Sequence, residues 1–202
     1  KENTIIVGDV RISVLSDRSL RIEKGSFTDN RTQFAFCRNY ANPQFKHTKN
    51  GDEVSIETKT CFFTVNTKTL VSSVTFKNGE SATPSNEFNL GGTARTLDGT
   101  FGVLGGWKGK REKKDHFCLA HIRKGIFATN GVSEIDDSSS VLLNVDGSVS
   151  PRPTSCVDKY LFAFKDDYLG GLKEFYSLSG FTPLLPKYVL GNWWSRYHAY
   201  TD

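Results

Sequence analysis

Methionine is missing altogether from this chain of 202 residues, histidine and cysteine occur four times each, and proline only six times. Each scarcity excludes something. The four cysteines (Cys37, Cys61, Cys118, Cys156) are widely spread with no CxxC spacing. His47, His116, His121 and His198 fall into no HExxH or HxH pattern, so zinc ligation is not expected. No GxxxxGK[ST] phosphate loop is present, and no cofactor is expected. No apolar run approaches the roughly 18 residues of a membrane-crossing helix. A chain that opens on Lys1 and holds no Met is expected to be a processed, trimmed or excised piece, so targeting and compartment are not legible.

Aromatic residues, by contrast, are plentiful. Fifteen Phe, seven Tyr and three Trp, within a 37% apolar composition, are enough for a sizeable core and exclude a disordered or collagen-like chain. The length suits one large domain better than two ordinary ones. The net charge of +4 is local: residues 107–125 carry a net +5 (Lys108, Lys110, Arg111, Lys113, Lys114, Arg123 and Lys124 against Glu112 and Asp115) and the remainder −1. Such a segment reads as solvated surface, because nucleic-acid binding would need a broad basic face with interleaved aromatics.

The dominant hydrophobic period is two. Val10, Ile12 and Val14 alternate with Arg11 and Ser13, and the pattern recurs in Leu20–Glu23, Asp52–Glu57 and Leu70–Lys77. Thr32–Arg38 and Cys61–Val65 add β-branched and aromatic runs, which place Cys37 and Cys61 in strands as small buried thiols. Turn signals at Asn50-Gly51, Asn78-Gly79, Asp98-Gly99 and Asp146-Gly147 separate the runs. Many short strands joined this way predict a mainly β chain, an antiparallel sandwich. Residues 79–110 break the alternation with a high density of glycine, which predicts a long excursion from the scaffold. Strand-like pieces resume at Gly125–Thr129, Val141–Asn144 and Val157–Phe164.

From Asp167 the period changes to that of a helix, with Tyr168, Leu169, Leu172, Phe175 and Tyr176 as its apolar stripe, Asp166 as N-cap and Gly180 as stop. Thr182–Pro186 is then a stiff linker, and Tyr188–Trp194 reads as a new, almost continuously apolar strand of the kind buried on both faces. Two units are expected: residues 1–182, a sandwich with one helix near its C-terminus, and residues 183–202, a linker and the first strand of a second domain. Asp136 and Asp137 are adjacent, so on a strand they face opposite sides and cannot jointly flank one bond; a structural role in a turn is expected. Asn30-Arg31-Thr32 is a glycosylation sequon.

The tail Phe181–Tyr200 (FTPLLPKYVLGNWWSRYHAY) resembles the junction in glycoside hydrolase family 31, the α-glucosidase and α-xylosidase family, where a proline-bearing linker leads into the first strand of a (β/α)8 barrel. Asn89–Asp98 (NLGGTARTLD), Ile135–Ser138 (IDDS) and Asp166-Asp167-Tyr168 with the Leu172, Phe175, Tyr176 helix are similar in the same order. The resemblance covers most of residues 80–202, and residues 1–79 fit it only by their strand pattern.

The resemblance implies a galactose-mutarotase-like sandwich followed by the start of the barrel. It also implies hydrolysis or transfer of terminal α-linked sugars with retention, through two carboxyl groups about 5–5.5 Å apart. In the family both carboxylates sit on later barrel strands, so this chain alone is expected to be inactive, with the barrel of the same protein as its partner. Tyr197 matches the family's pocket-lining aromatic after an arginine, here Arg196, and would stack on an α-linked oligosaccharide or glucoside; packing within the barrel is the alternative. Arg95 and Asp98 are the polar candidates on the glycine-rich excursion. The residues after Asp98 lack the family's usual arginine-glycine continuation, and a turn with Gly99 is the other reading of Asp98. Two further functions compete: an autonomous carbohydrate-binding module using exposed aromatics such as Trp107, and a mutarotase-like enzyme using His47, for which spacing shows no acid partner.

Overall fold

The alternation in residues 52–77 produces a meander. In the computed structural model, which describes residues 3–37, 43–90, 125–181 and 184–191, β4 (Lys46–Asn50), β5 (Glu53–Glu57), β6 (Cys61–Asn66), β7 (Ser72–Phe76) and β8 (Ser81–Ala82) are neighbours in chain order, all antiparallel. The register sets like against like: Val54 faces Val65, Ile56 faces Phe63, and Phe63 faces Val74. All five side chains are fully buried, while Glu53, Ser55 and Glu57 between them point to solvent. The expected turns fall at Asn50-Gly51, Asn78-Gly79 and Asp146-Gly147, each with its glycine at positive φ.

The other five-stranded sheet runs in the order β1 (Thr4–Val7), β2 (Val10–Ser16), β3 (Ser19–Lys24), β12 (Val157–Ala163), β9 (Val132–Asp136) and is also antiparallel. The chain leaves this sheet after β3, builds the other, and returns to pair β12 against β3. Ile12, Val14, Leu20, Ile22, Val132 and Leu161 from this sheet share one core with Val54, Ile56, Phe63, Val65 and Val74 from the other. Each such side chain contributes roughly 1.5–3 kcal/mol by leaving water. Two stacked antiparallel sheets around one core are a β-sandwich, as expected. A two-stranded ribbon, β10 (Leu142–Leu143) with β11 (Val149–Ser150), lies apart.

This sheet, first in chain order, is also covered on its outer side. A register shift between Val14 and Ser16 accompanies the burial of Leu15 in a second cluster with Ala35, Tyr160, Phe162, Phe164 and Leu178. Helix α1 (Tyr168–Ser179) supplies Leu178, and the backbone of Cys37 donates to the Leu178 carbonyl at 2.9 Å. Phe34 meets Tyr160 edge-on, with ring centroids 5.2 Å apart.

Several local expectations are corrected. The N-cap is Asp167, not Asp166, and its carboxylate accepts from the Gly170 amide at 2.9 Å; Gly180 ends the helix as expected. The buried face turns on Gly171 and Leu178, leaving Leu169 exposed, because Gly171 lets the helix close onto Phe164 and Phe127. Thr32–Cys37 is not a strand: the Thr32 hydroxyl accepts from the Ala35 amide and curls the chain, so Cys37 lies half-buried in a loop while Cys61 is in a strand. Gly125–Thr129 makes only a single bridge, Ala128 to Asn89. Lys187–Leu190, where the start of a strand was expected, is one 3-10 turn following Pro186, with no neighbouring strand to pair with among the described residues. Residues 192–202 lie outside the described residues. Among the described residues, no helix is long and apolar enough to cross a membrane.

Candidate functional site

The segments ending at Leu90 and beginning at Gly125, which flank residues 91–124 in the sequence, are clamped together. Leu90 donates to the Phe127 carbonyl at 3.0 Å and Thr129 to the Phe88 carbonyl at 2.8 Å. Asn89 completes the neck: its Nδ2 donates to the Gly125 carbonyl and its Oδ1 accepts from the Gly125 amide, both at 2.9 Å. One amide side chain thus stands in for a further rung of a β-ladder. The returning segment is tied down by Ser133, whose hydroxyl donates to the Ile126 carbonyl at 2.8 Å, and by Asn130, whose Nδ2 donates to the Thr83 carbonyl at 2.8 Å.

Between this neck and the edge strand β9 lies a cleft of about 740 Å³. Ser85, Asn86, Asn89, Ser133, Glu134 and Asp136 are its polar lining, and Pro84, Ile126, Val132 and Ile135 much of its apolar part. The two carboxylates have partners already. Glu134 accepts from Lys159 at 2.9 Å and from Ser72 at 3.4 Å, and Asp136 accepts from the amide and hydroxyl of Ser138. Hydroxyls, amides and engaged carboxylates suit hydrogen bonding to a polar ligand better than acid–base catalysis. None of the lining residues is aromatic, so the described part of the cleft offers no ring for a sugar face to stack on.

Arg95, Asp98 and Tyr197, together with Trp107, Arg196 and the basic segment, lie outside the described residues. Sequence reasoning missed Asn89 as the clamp, although Asn-Leu-Gly-Gly was singled out; an asparagine before a glycine pair carries no pattern that distinguishes a clamp from a turn. His47 is exposed on edge strand β4, its ring 6.1 Å from that of Phe45. Among the described residues, no group of three His, Cys, Asp or Glu side chains is placed to hold a metal ion.

The buried carboxylates lie elsewhere, on the outer face of the first sheet. Arg21 grips Asp158 with two bonds, at 2.8 and 2.7 Å, and also meets Glu23 at 3.0 Å. Arg11 holds Glu23 at 2.6 Å, while Arg152 reaches Asp158 at 2.8 Å and Asp137 at 3.5 Å. Burial works against the charge of Asp158, but the bond and charge of Arg21, reinforced by Arg152, overcome it and hold its pKa below the usual carboxylate range. For Asp137 burial wins over the bonds from Ser140 and Thr32, and its pKa is raised. Asp136 and Asp137 therefore have the structural roles expected of them, one capping a turn at the surface and the other buried in the network.

No family model matches the chain, and no curated protein does. Among solved structures it is similar to a GH31 α-xylosidase from a soil metagenome, complexed with xylose, at 13% identity and a TM-score of 0.43, over 93% of this chain and 36% of that one. It is also similar to the GH31 α-xylosidase of Xanthomonas citri, at 17% identity and a TM-score of 0.32, over 49% of this chain and 12% of that one. The chain thus spans well under half the length of either enzyme.

Proposed function

We propose that this chain is the non-catalytic N-terminal part of a retaining α-glycoside hydrolase, α-glucosidase-like in chemistry, which supports a catalytic barrel and shapes its substrate pocket. The observation that carries the reading is the surface after the helix. Phe181, Leu184, Leu185, Tyr188 and Leu190 are all exposed, with Phe181 at 80% and Tyr188 at 77%. An autonomous module would be expected to fold such a tail over its own sheet; a support domain would leave it for the next layer to cover. The buried carboxylates agree with this. Glu23 and Asp158 are each held by an arginine, which suits fixed structural charge and not a nucleophile or a proton donor.

The test pairs the 202-residue chain with a longer polypeptide carrying it ahead of a barrel, both assayed for p-nitrophenol release from α-glucoside and α-xyloside. Release by the long form alone is expected and identifies the sugar. Turnover by the short chain overturns the reading. Saturable sugar binding by the short chain, with no turnover by the long one, would favour a carbohydrate-binding module using the cleft beside Asn89.

A further inference from the structure

The Asn30-Arg31-Thr32 triplet has no part in the proposed function, yet the fold treats its two key residues in opposite ways. It is the single N-x-[ST] triplet in the chain. Asn30 is exposed; its backbone N–H donates to the Thr28 hydroxyl at 3.1 Å, and its Nδ2 donates to Asn144 Oδ1 at 2.9 Å. Thr32 is fully buried. Its hydroxyl donates to Asp137 Oδ2 at 2.8 Å and accepts from the Ala35 amide at 2.8 Å.

We propose that Asn30, when the chain is delivered into a secretory lumen, is the acceptor of one N-linked glycan, and that it accepts the glycan only before this part of the chain folds. An oligosaccharyl transferase reads the hydroxyl two residues after the asparagine as part of the acceptor. In the folded chain that hydroxyl is out of reach and engaged at both its donor and acceptor sides, so the acceptor exists only while residues 28–37 are still extended. The co-reactant is an oligosaccharide on a lipid pyrophosphate carrier. The bond from its anomeric carbon to the pyrophosphate oxygen breaks, a bond from that carbon to Asn30 Nδ2 forms, and the displaced amide proton leaves with the lipid pyrophosphate.

The folded structure accommodates the product. A substituted Nδ2 keeps one N–H, enough for its bond to Asn144. The glycan would also stand beside two exposed valines: Val145, directly after Asn144, and Val149 on β11. A hydrated chain there covers apolar surface that the protein leaves open.

The test translates the full chain behind a secretion signal in the presence of rough microsomes. The protease-protected product should show a one-glycan mobility shift that endoglycosidase H removes and Asn30→Gln abolishes. Purified folded chain, offered to solubilised transferase and the lipid-linked donor with a tripeptide acceptor as positive control, should remain unmodified. Protected chains without the shift, or a shift that survives in Asn30→Gln, would overturn the site. Modification of the folded chain as complete as that of the nascent one would overturn the dependence on folding.

Discussion

The two sheets of the sandwich share one core but treat their outer faces differently. On β5 of the meander, Val54 and Ile56 are buried and Glu53, Ser55 and Glu57 meet water. In β3 of the other sheet, Leu20 and Ile22 are buried, but so are Arg21 and Glu23, which alternate with them. The sequences alternate in the same way; the difference lies in what covers the second face. Helix α1 and the Thr32–Cys37 loop lie over part of the first sheet and, among the described residues, nothing equivalent lies over the meander, so charges that would be solvated on one sheet are locked into arginine–carboxylate pairs on the other. A buried ion pair gives little net stability against an apolar substitute, but losing one partner strands the other.

That contrast can be broken by mutation. Arg21→Ala should have the largest effect, about 3–5 kcal/mol, since it leaves Asp158 and Glu23 buried with fewer counter-charges. Glu57→Ala, at the matching place on the meander, should leave the urea midpoint unmoved even though Glu57 pairs with Lys77. Gly131→Ala should follow at about 1–3 kcal/mol, because φ is +76° there and a Cβ would sit 2.3 Å from the Lys165 Cα. Gly79→Ala, on the meander at φ +91° with open space around it, should cost less than Gly131→Ala in the same titration. Asp167→Ala should give a smaller loss again, removing the helix cap and the ion pair with Arg18, and should be read from helix content by circular dichroism.

A further effect is expected on pH dependence, and it sharpens the comparison within the buried network itself. Asp158, lowered in the fold, contributes stability that is fully present above about pH 4 and is lost as pH falls through its folded value. Asp137, raised in the fold, has the opposite sign: its contribution is greatest below about pH 4 and is lost as pH rises through its folded value. Asp158→Asn should flatten the acid limb of stability against pH, and Asp137→Asn should steepen it. Urea titrations between about pH 3 and 7 read both slopes, and equal slopes in the two variants would contradict the assignment.

The period-two signal at residues 10–24, 52–57 and 70–77 was enough to read the sandwich, because burial of one face is a local pattern repeated along each strand. It failed on what lies over the other face. Arg21 looks like a solvent-facing residue until Asp158 on β12 returns from 137 positions away to pair with it. The helix was legible, but its orientation was not: Leu169 belongs to the apolar stripe by spacing, yet Gly171, which has no side chain to register in such a pattern, decides which face descends onto Phe164. At the candidate site, Ile135–Ser138 and Asn89 were singled out as sequence, but the cleft they help line forms only when a segment after residue 124 is stitched beside residues 83–90.

That stitching has an architectural consequence. With Asn89 holding Gly125 through both halves of its amide, the scaffold closes on itself whatever lies between those two residues. Lengthening a loop whose ends are already fixed costs little, about 0.6 kcal/mol for each doubling. The neck is therefore a socket: a change in the length or charge of the sequence between Leu90 and Gly125 is expected to leave the register of the two sheets as it is.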